Sequence, residues 1–205
     1  ERFRPTKIVR SRARLQVYPL PLPRAGRRGE ELRLECCLDH NGVDRCINKA
    51  PSFNRLVIAD IAPAAYAGQH SEVFDALQQV VEAGCESRQA AGELLAGLIQ
   101  DPRVRGYLLM GLERRAGTYD WRFNVQGLLR GYAQLCAAPD FDRVFTGQTL
   151  FLHGADSGYV RAEHESVMKQ WFSESHLVSL AKAGHWLHVD QPEAFCDQVR
   201  CHFRG

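Results

Sequence analysis

The chain has 205 residues, 45% hydrophobic and 24% charged, with a formal net charge of +2 at pH 7. That is the make-up of a globular chain with one domain and a possible tail, long enough for a sizeable core. The small net charge gives no ground for a nucleic-acid partner, and no stretch reaches the roughly 18 uninterrupted apolar residues of a membrane span.

Residues 1–54 show no sustained period, and residues 1–28 carry eight arginines and one lysine against the single acid Glu1. Pro19, Pro21 and Pro23 alternate with leucines there. An arginine-rich, acid-poor start fits part of a mitochondrial transit peptide, although the prolines argue against a helix. We expect 1–54 to be an irregular basic segment, with Leu15–Tyr18 and Leu32–Leu34 as examples of a strand it could supply.

From Arg55 the character changes. Leu56–Ile61, closed by Ala62-Pro63, reads as a strand buried on both faces of a parallel sheet. Apolar positions at helical spacing then predict helices over 69–83, 88–99, about 103–114, and from Val125 to about Cys136. Beyond Pro139, strand and helix patterns alternate: Thr149–Leu152, 161–172, His176–Leu180 and 192–203. Such alternation predicts βαβ units and an α/β fold. The helices of 69–136 break that rhythm without strands, so they are expected to form an inserted cap at the carboxyl ends of the sheet strands.

Seven cysteines, at 36, 37, 46, 85, 136, 196 and 201, form no Cys-x-x-Cys pair. An odd number spread over such a length suits reduced thiols in an intracellular compartment, cytoplasmic or mitochondrial. No cofactor motif occurs. His185, His188 and Asp190 match no standard metal-ligand spacing, so no metal is expected.

Five segments follow in order: Arg55–Pro63; Tyr66 with His70; Trp121-Arg-Phe-Asn-Val125; Gly154-Ala-Asp-Ser-Gly-Tyr-Val160; and Ala183-Gly-His-Trp-Leu-His188. In residues and spacing they resemble the YbfF-like esterases and their mitochondrial abhydrolase relatives, of the α/β-hydrolase superfamily, over about residues 55–204. The resemblance implies the carboxyl-terminal part of an α/β-hydrolase sheet (55–205) with a helical cap. It also implies esterase or thioesterase activity on a small acyl ester or thioester.

By the same resemblance His185 is the general base. In most α/β-hydrolases the acid stands three residues beyond the glycine ending the penultimate strand, which here is Ser157. The YbfF-like group carries serine there and takes its acid from the preceding strand end, which implies Asp60 as the acid and Ser157 as its hydrogen-bonding support. Asp156 is the rival acid.

No Gly-x-Ser-x-Gly nucleophile elbow occurs in the sequence. Residues 1–54 are too few for the strands that precede Leu56 in the family. Ser11 and Ser52 lack the flanking glycines of an elbow, and Cys36 lies at a suitable distance but between bulky neighbours. The expectation is therefore a truncated sequence, inactive for lack of its nucleophile serine, with the strand at 56–61 left as an apolar sheet edge. The alternative is a non-catalytic pseudo-hydrolase binding an acyl ligand or a protein through the cap residues Phe74, Leu77, Leu94, Leu98 and Leu109.

Overall fold

The computed structural model describes residues 54–204. Ser11, Cys36, Ser52 and the strand candidates at 15–18 and 32–34 lie outside them. The described chain divides into two units, one from residues up to Ala64 and from Ala138 onward, the other from Ala65–Ala137.

The first unit is built on three strands, β1 (Arg55–Ala59), β4 (Gln148–Gly154) and β5 (Ser175–Leu180), in the order β1-β4-β5. Both pairings are parallel: Leu56 stands opposite Thr149 and Ala59 opposite Leu152, while Leu152 stands opposite Val178 and Gly154 opposite Leu180. Because side chains alternate across a strand, the apolar run 56–59 supplies both faces. Val57 and Ala59 join Leu150, Leu152 and Leu180 in a cluster with Leu187, Phe195 and Val199. Leu56 and Ile58 are buried by the opposite parity, as is Phe151, which meets the Phe172 ring edge-on at 5.2 Å. Among the described residues β1 pairs on one side only.

Helices α5 (Glu165–Trp171), α6 (Leu187–Asp190) and α7 (Pro192–Arg204) complete this unit, with a single 3₁₀ turn at Ala162–His164 before α5. The expected helix over 161–172 is thus split. The stretch after His185 contains the one-turn helix α6. Arg55 ties the start of β1 to the end of α7 by donating to the His202 carbonyl at 2.7 Å.

The second unit holds helices α1 (Ser71–Ala83), α2 (Arg88–Leu98), α3 (Pro102–Met110) and α4 (Val125–Cys136). Local chemistry sets their limits. Gly84 ends α1 at φ 56°, a conformation glycine adopts without penalty. Ser87, Asp101 and Asn124 accept backbone N–H bonds at the starts of α2, α3 and α4, and Pro102 opens α3. The core of the unit gathers Ala76, Leu77, Val80, Leu95, Leu108 and Trp121.

One expectation fails here. The third helix ends at Met110 and does not run to 114, and the segment does contain strands: β2 (Leu112–Arg115) and β3 (Thr118–Trp121) form an antiparallel hairpin. Its two-residue turn places Ala116 at φ 48° and Gly117 at φ 98°, the doubly positive pattern whose twist matches a hairpin. Trp121, 1% exposed, donates its indole N–H to the Leu77 carbonyl at 2.8 Å, which locks the hairpin onto α1. No described helix is long and apolar enough to cross a membrane.

Candidate functional site

β1 ends in a residue with an unusual backbone. Asp60 has φ 51°, in the left-handed region that aspartate tolerates better than most side chains. Its own N–H donates to the Leu152 carbonyl at 2.7 Å, so the turn stays anchored to β4. The carboxylate is 1% exposed, and such a group requires partners.

Three donors supply them. Oδ1 accepts the Gly154 N–H at 3.1 Å, while Oδ2 accepts the Ser157 hydroxyl at 2.5 Å and His185 Nδ1 at 2.8 Å. A carboxylate can only accept, so Nδ1 carries the proton in this contact and Nε2 of the neutral ring is left as the basic nitrogen. Asp60 and His185 are 125 residues apart in sequence. Asp60 directly follows β1 and His185 stands five residues beyond the end of β5, and parallel pairing through β4 brings the carboxyl ends of β1 and β5 to the same side of the sheet.

Close packing holds the histidine loop against the end of β4. A Cβ built on Gly154 would lie 2.3 Å from the carbonyl oxygens of both Ala183 and Gly184. Only glycine permits that approach. From the other side Asp190 accepts the Gly184 N–H at 2.8 Å. Asp190 therefore serves the loop backbone. Beside it, burial lowers the pKa of His188 below the usual histidine value, with a smaller push in the same direction from His185 and an opposing one from Asp190.

The rival acid stands elsewhere. Asp156 is exposed, and its backbone N–H donates to the Ala183 carbonyl at 2.9 Å. Ser157, three residues past Gly154, is the side chain that reaches Asp60. Among the described residues no group of three or more His, Cys, Asp or Glu side chains could hold a metal ion. Of the apolar residues in the inserted unit, Leu77 is buried, and Phe74, Leu94, Leu98 and Leu109 pack against the same core.

Tyr159 escaped the sequence reading as a participant. Its ring centroid lies 4.4 Å from that of His185, with the planes 32° apart. An aromatic residue two positions after Ser157 was the available sign. A cavity of about 550 Å³ opens at the other ends of the strands, lined by the starts of β4 and β5 and by Gln198, Cys201 and His202 of α7. It contains neither Asp60 nor His185.

No family model matches the chain. Over 151 residues it is 31% identical to the mouse sn-1-specific diacylglycerol lipase ABHD11, covering 71% of this chain and 49% of that protein. With the Escherichia coli esterase YbfF the identity is 29% over 152 residues, covering 72% and 57%. A solved marine microorganism esterase superposes with a TM-score of 0.69 at 27% identity, over 73% of this chain and 60% of that one. An esterase from Exiguobacterium antarcticum, 17% identical, shares the fold at a TM-score of 0.52 over 81% and 63% of the two chains. The chain spans about half the length of the curated relatives it matches. Alignment and superposition converge on proteins of one architecture, and the chain belongs to the α/β-hydrolase superfamily.

Proposed function

We propose that residues 54–204 carry the acid and the base of a carboxylic ester hydrolase acting through a serine relay. The observation that carries the reading is the buried Asp60 carboxylate on His185 Nδ1, at 2.8 Å. In that role Asp60 fixes the tautomer and orientation of the imidazole and stabilises the imidazolium as it forms. His185 Nε2 takes the proton of an attacking hydroxyl and returns it to the leaving alcohol or thiol. Water then releases the acyl group by the same two proton transfers in reverse. Ser157 supports the acid from its free side, so that Oδ2 stays aimed at His185.

The relatives' names, an esterase and a diacylglycerol lipase, support an acyl ester as substrate class. The Gly-x-Ser-x-Gly elbow is missing from these 205 residues, and the chain on its own is accordingly inactive. The free thiols at Cys85, Cys136, Cys196 and Cys201 suit an intracellular compartment, cytoplasmic or mitochondrial.

The test is turnover of a short p-nitrophenyl ester, first by the 205-residue chain and then by residues 54–204 joined to the elbow-bearing portion of the Escherichia coli esterase. The first should show no hydrolysis above background. The second should hydrolyse the ester and lose at least about a thousandfold in kcat on His185→Ala. Turnover by the joined protein that survives His185→Ala removes His185 from the relay, and turnover by the unjoined chain contradicts its inactivity.

A further inference from the structure

One turn serves both members of the Asp60–His185 pair. Between Gly154 and Val160, the Ser157 N–H donates to the Gly154 carbonyl at 3.0 Å and the Tyr159 N–H donates to the Ser157 hydroxyl at 3.3 Å. That hydroxyl in turn donates to Asp60 Oδ2. The same turn that ties the carboxylate therefore lays the Tyr159 ring against the imidazole, centroid to centroid at 4.4 Å.

The two partners differ in freedom. Asp60 is 1% exposed and accepts three hydrogen bonds, whereas the His185 side chain is 34% exposed. One hydrogen bond at Nδ1 holds a point of the ring without holding its plane. A face contact with a second ring restricts the tilt that the hydrogen bond leaves open.

We infer that Tyr159 is a positioning residue for His185: its ring keeps Nδ1 on the Asp60 carboxylate and thereby fixes the direction of Nε2. The inference rests on the proposed relay. The negative face of the phenol ring also favours the imidazolium formed during proton transfer. The contact is made by the ring, so Tyr159→Phe preserves it and Tyr159→Leu removes it while filling much of the space.

Proton NMR of the 205-residue chain tests this without requiring turnover. An imidazole Nδ1–H held on a carboxylate gives a low-field signal, identified by its loss in His185→Ala and its change in Asp60→Asn. Exchange of that proton with water should quicken about fivefold in Tyr159→Leu, the size expected for one aromatic face contact. It should stay at the wild-type rate in Tyr159→Phe. Tyr159→Met serves in place of the leucine variant if that one does not melt cooperatively. An unchanged rate in the leucine or methionine variant, or a phenylalanine variant as fast as either, overturns the role of Tyr159 and leaves the relay standing. A signal that is absent, or indifferent to Asp60→Asn, overturns the pairing of Asp60 with His185 and this inference with it.

Discussion

Asp60→Asn changes one atom type in a site where every donor is accounted for. Asparagine tolerates the left-handed backbone at φ 51°, whereas alanine there adds roughly 1 kcal/mol of steric strain. The amide can turn either way. With its oxygen at the Oδ2 position it keeps Ser157 and His185 but sets its NH₂ against the Gly154 N–H; turned over, it faces two donors and keeps one. The first orientation wins. It leaves a buried backbone N–H unsatisfied, at about 1–3 kcal/mol, and converts two charge-assisted bonds to neutral ones, losing about half of each. Relief of burying a full charge offsets part of this. The net expectation is a loss of about 2 kcal/mol, or about 4–8 °C in melting temperature for a body of this size. Thermal and urea unfolding of wild type and variant at one pH measure it. A variant as stable as the wild type, or more stable, refutes the reasoning that three donors make this carboxylate the keystone of the strand ends.

Gly154→Ala places a methyl group 2.3 Å from two carbonyl oxygens, so the histidine loop must move. We expect a loss above about 3 kcal/mol and disappearance of the low-field His185 signal, checked by urea unfolding and NMR. Trp121→Phe removes the donor to the Leu77 carbonyl and part of a buried side chain. It should cost about 2–4 kcal/mol and loosen the β2–β3 hairpin, read by hydrogen exchange at Tyr119, whose N–H donates to the Cys85 carbonyl. Burial, with His176 and Arg55 beside it, holds the His202 pKa below its ordinary 6.5. The unfolded chain therefore takes up this proton first, and the stability is full above about pH 6.5 and lost as pH falls from there through the depressed folded-state value. Urea midpoints across that window should slope less in His202→Gln, and an unaltered slope removes His202 as a source.

The residues of the proposed site were legible because each carries a strong local pattern. Four buried aliphatic positions and an aspartate ahead of Ala62-Pro63 mark a strand and its end, and Gly184-His185-Trp186 follows a second strand after three intervening residues. What joins them is pairing through β4, a non-local fact that no local pattern contains. Resemblance to a family supplied it. The hairpin was misread for a different reason: Leu108, Leu109 and Leu112 continue a helical period straight through Gly111, and Ala116-Gly117 is a weaker turn sequence than Asn-Gly. The alternation of Thr118–Trp121 opposite Glu113–Arg115 was the missed sign. Tyr159 left only one sign, an aromatic residue two positions after Ser157, because ring-to-ring contact between two loops leaves no periodic trace.

The inserted unit starts and finishes at a single place. The Tyr66 N–H donates to the Cys136 carbonyl at 2.8 Å, and the Tyr132 hydroxyl, 2.6 Å from His70 Nδ1, closes the same neck. A stretch knotted at its base in this manner is modular: evolution, or an engineer, can lengthen it, shorten it or graft another in its place while the strands on either side keep their register. Selection can thus act on the insert independently of the Asp60–His185 contact, and variation among relatives should concentrate between Ala65 and Ala137.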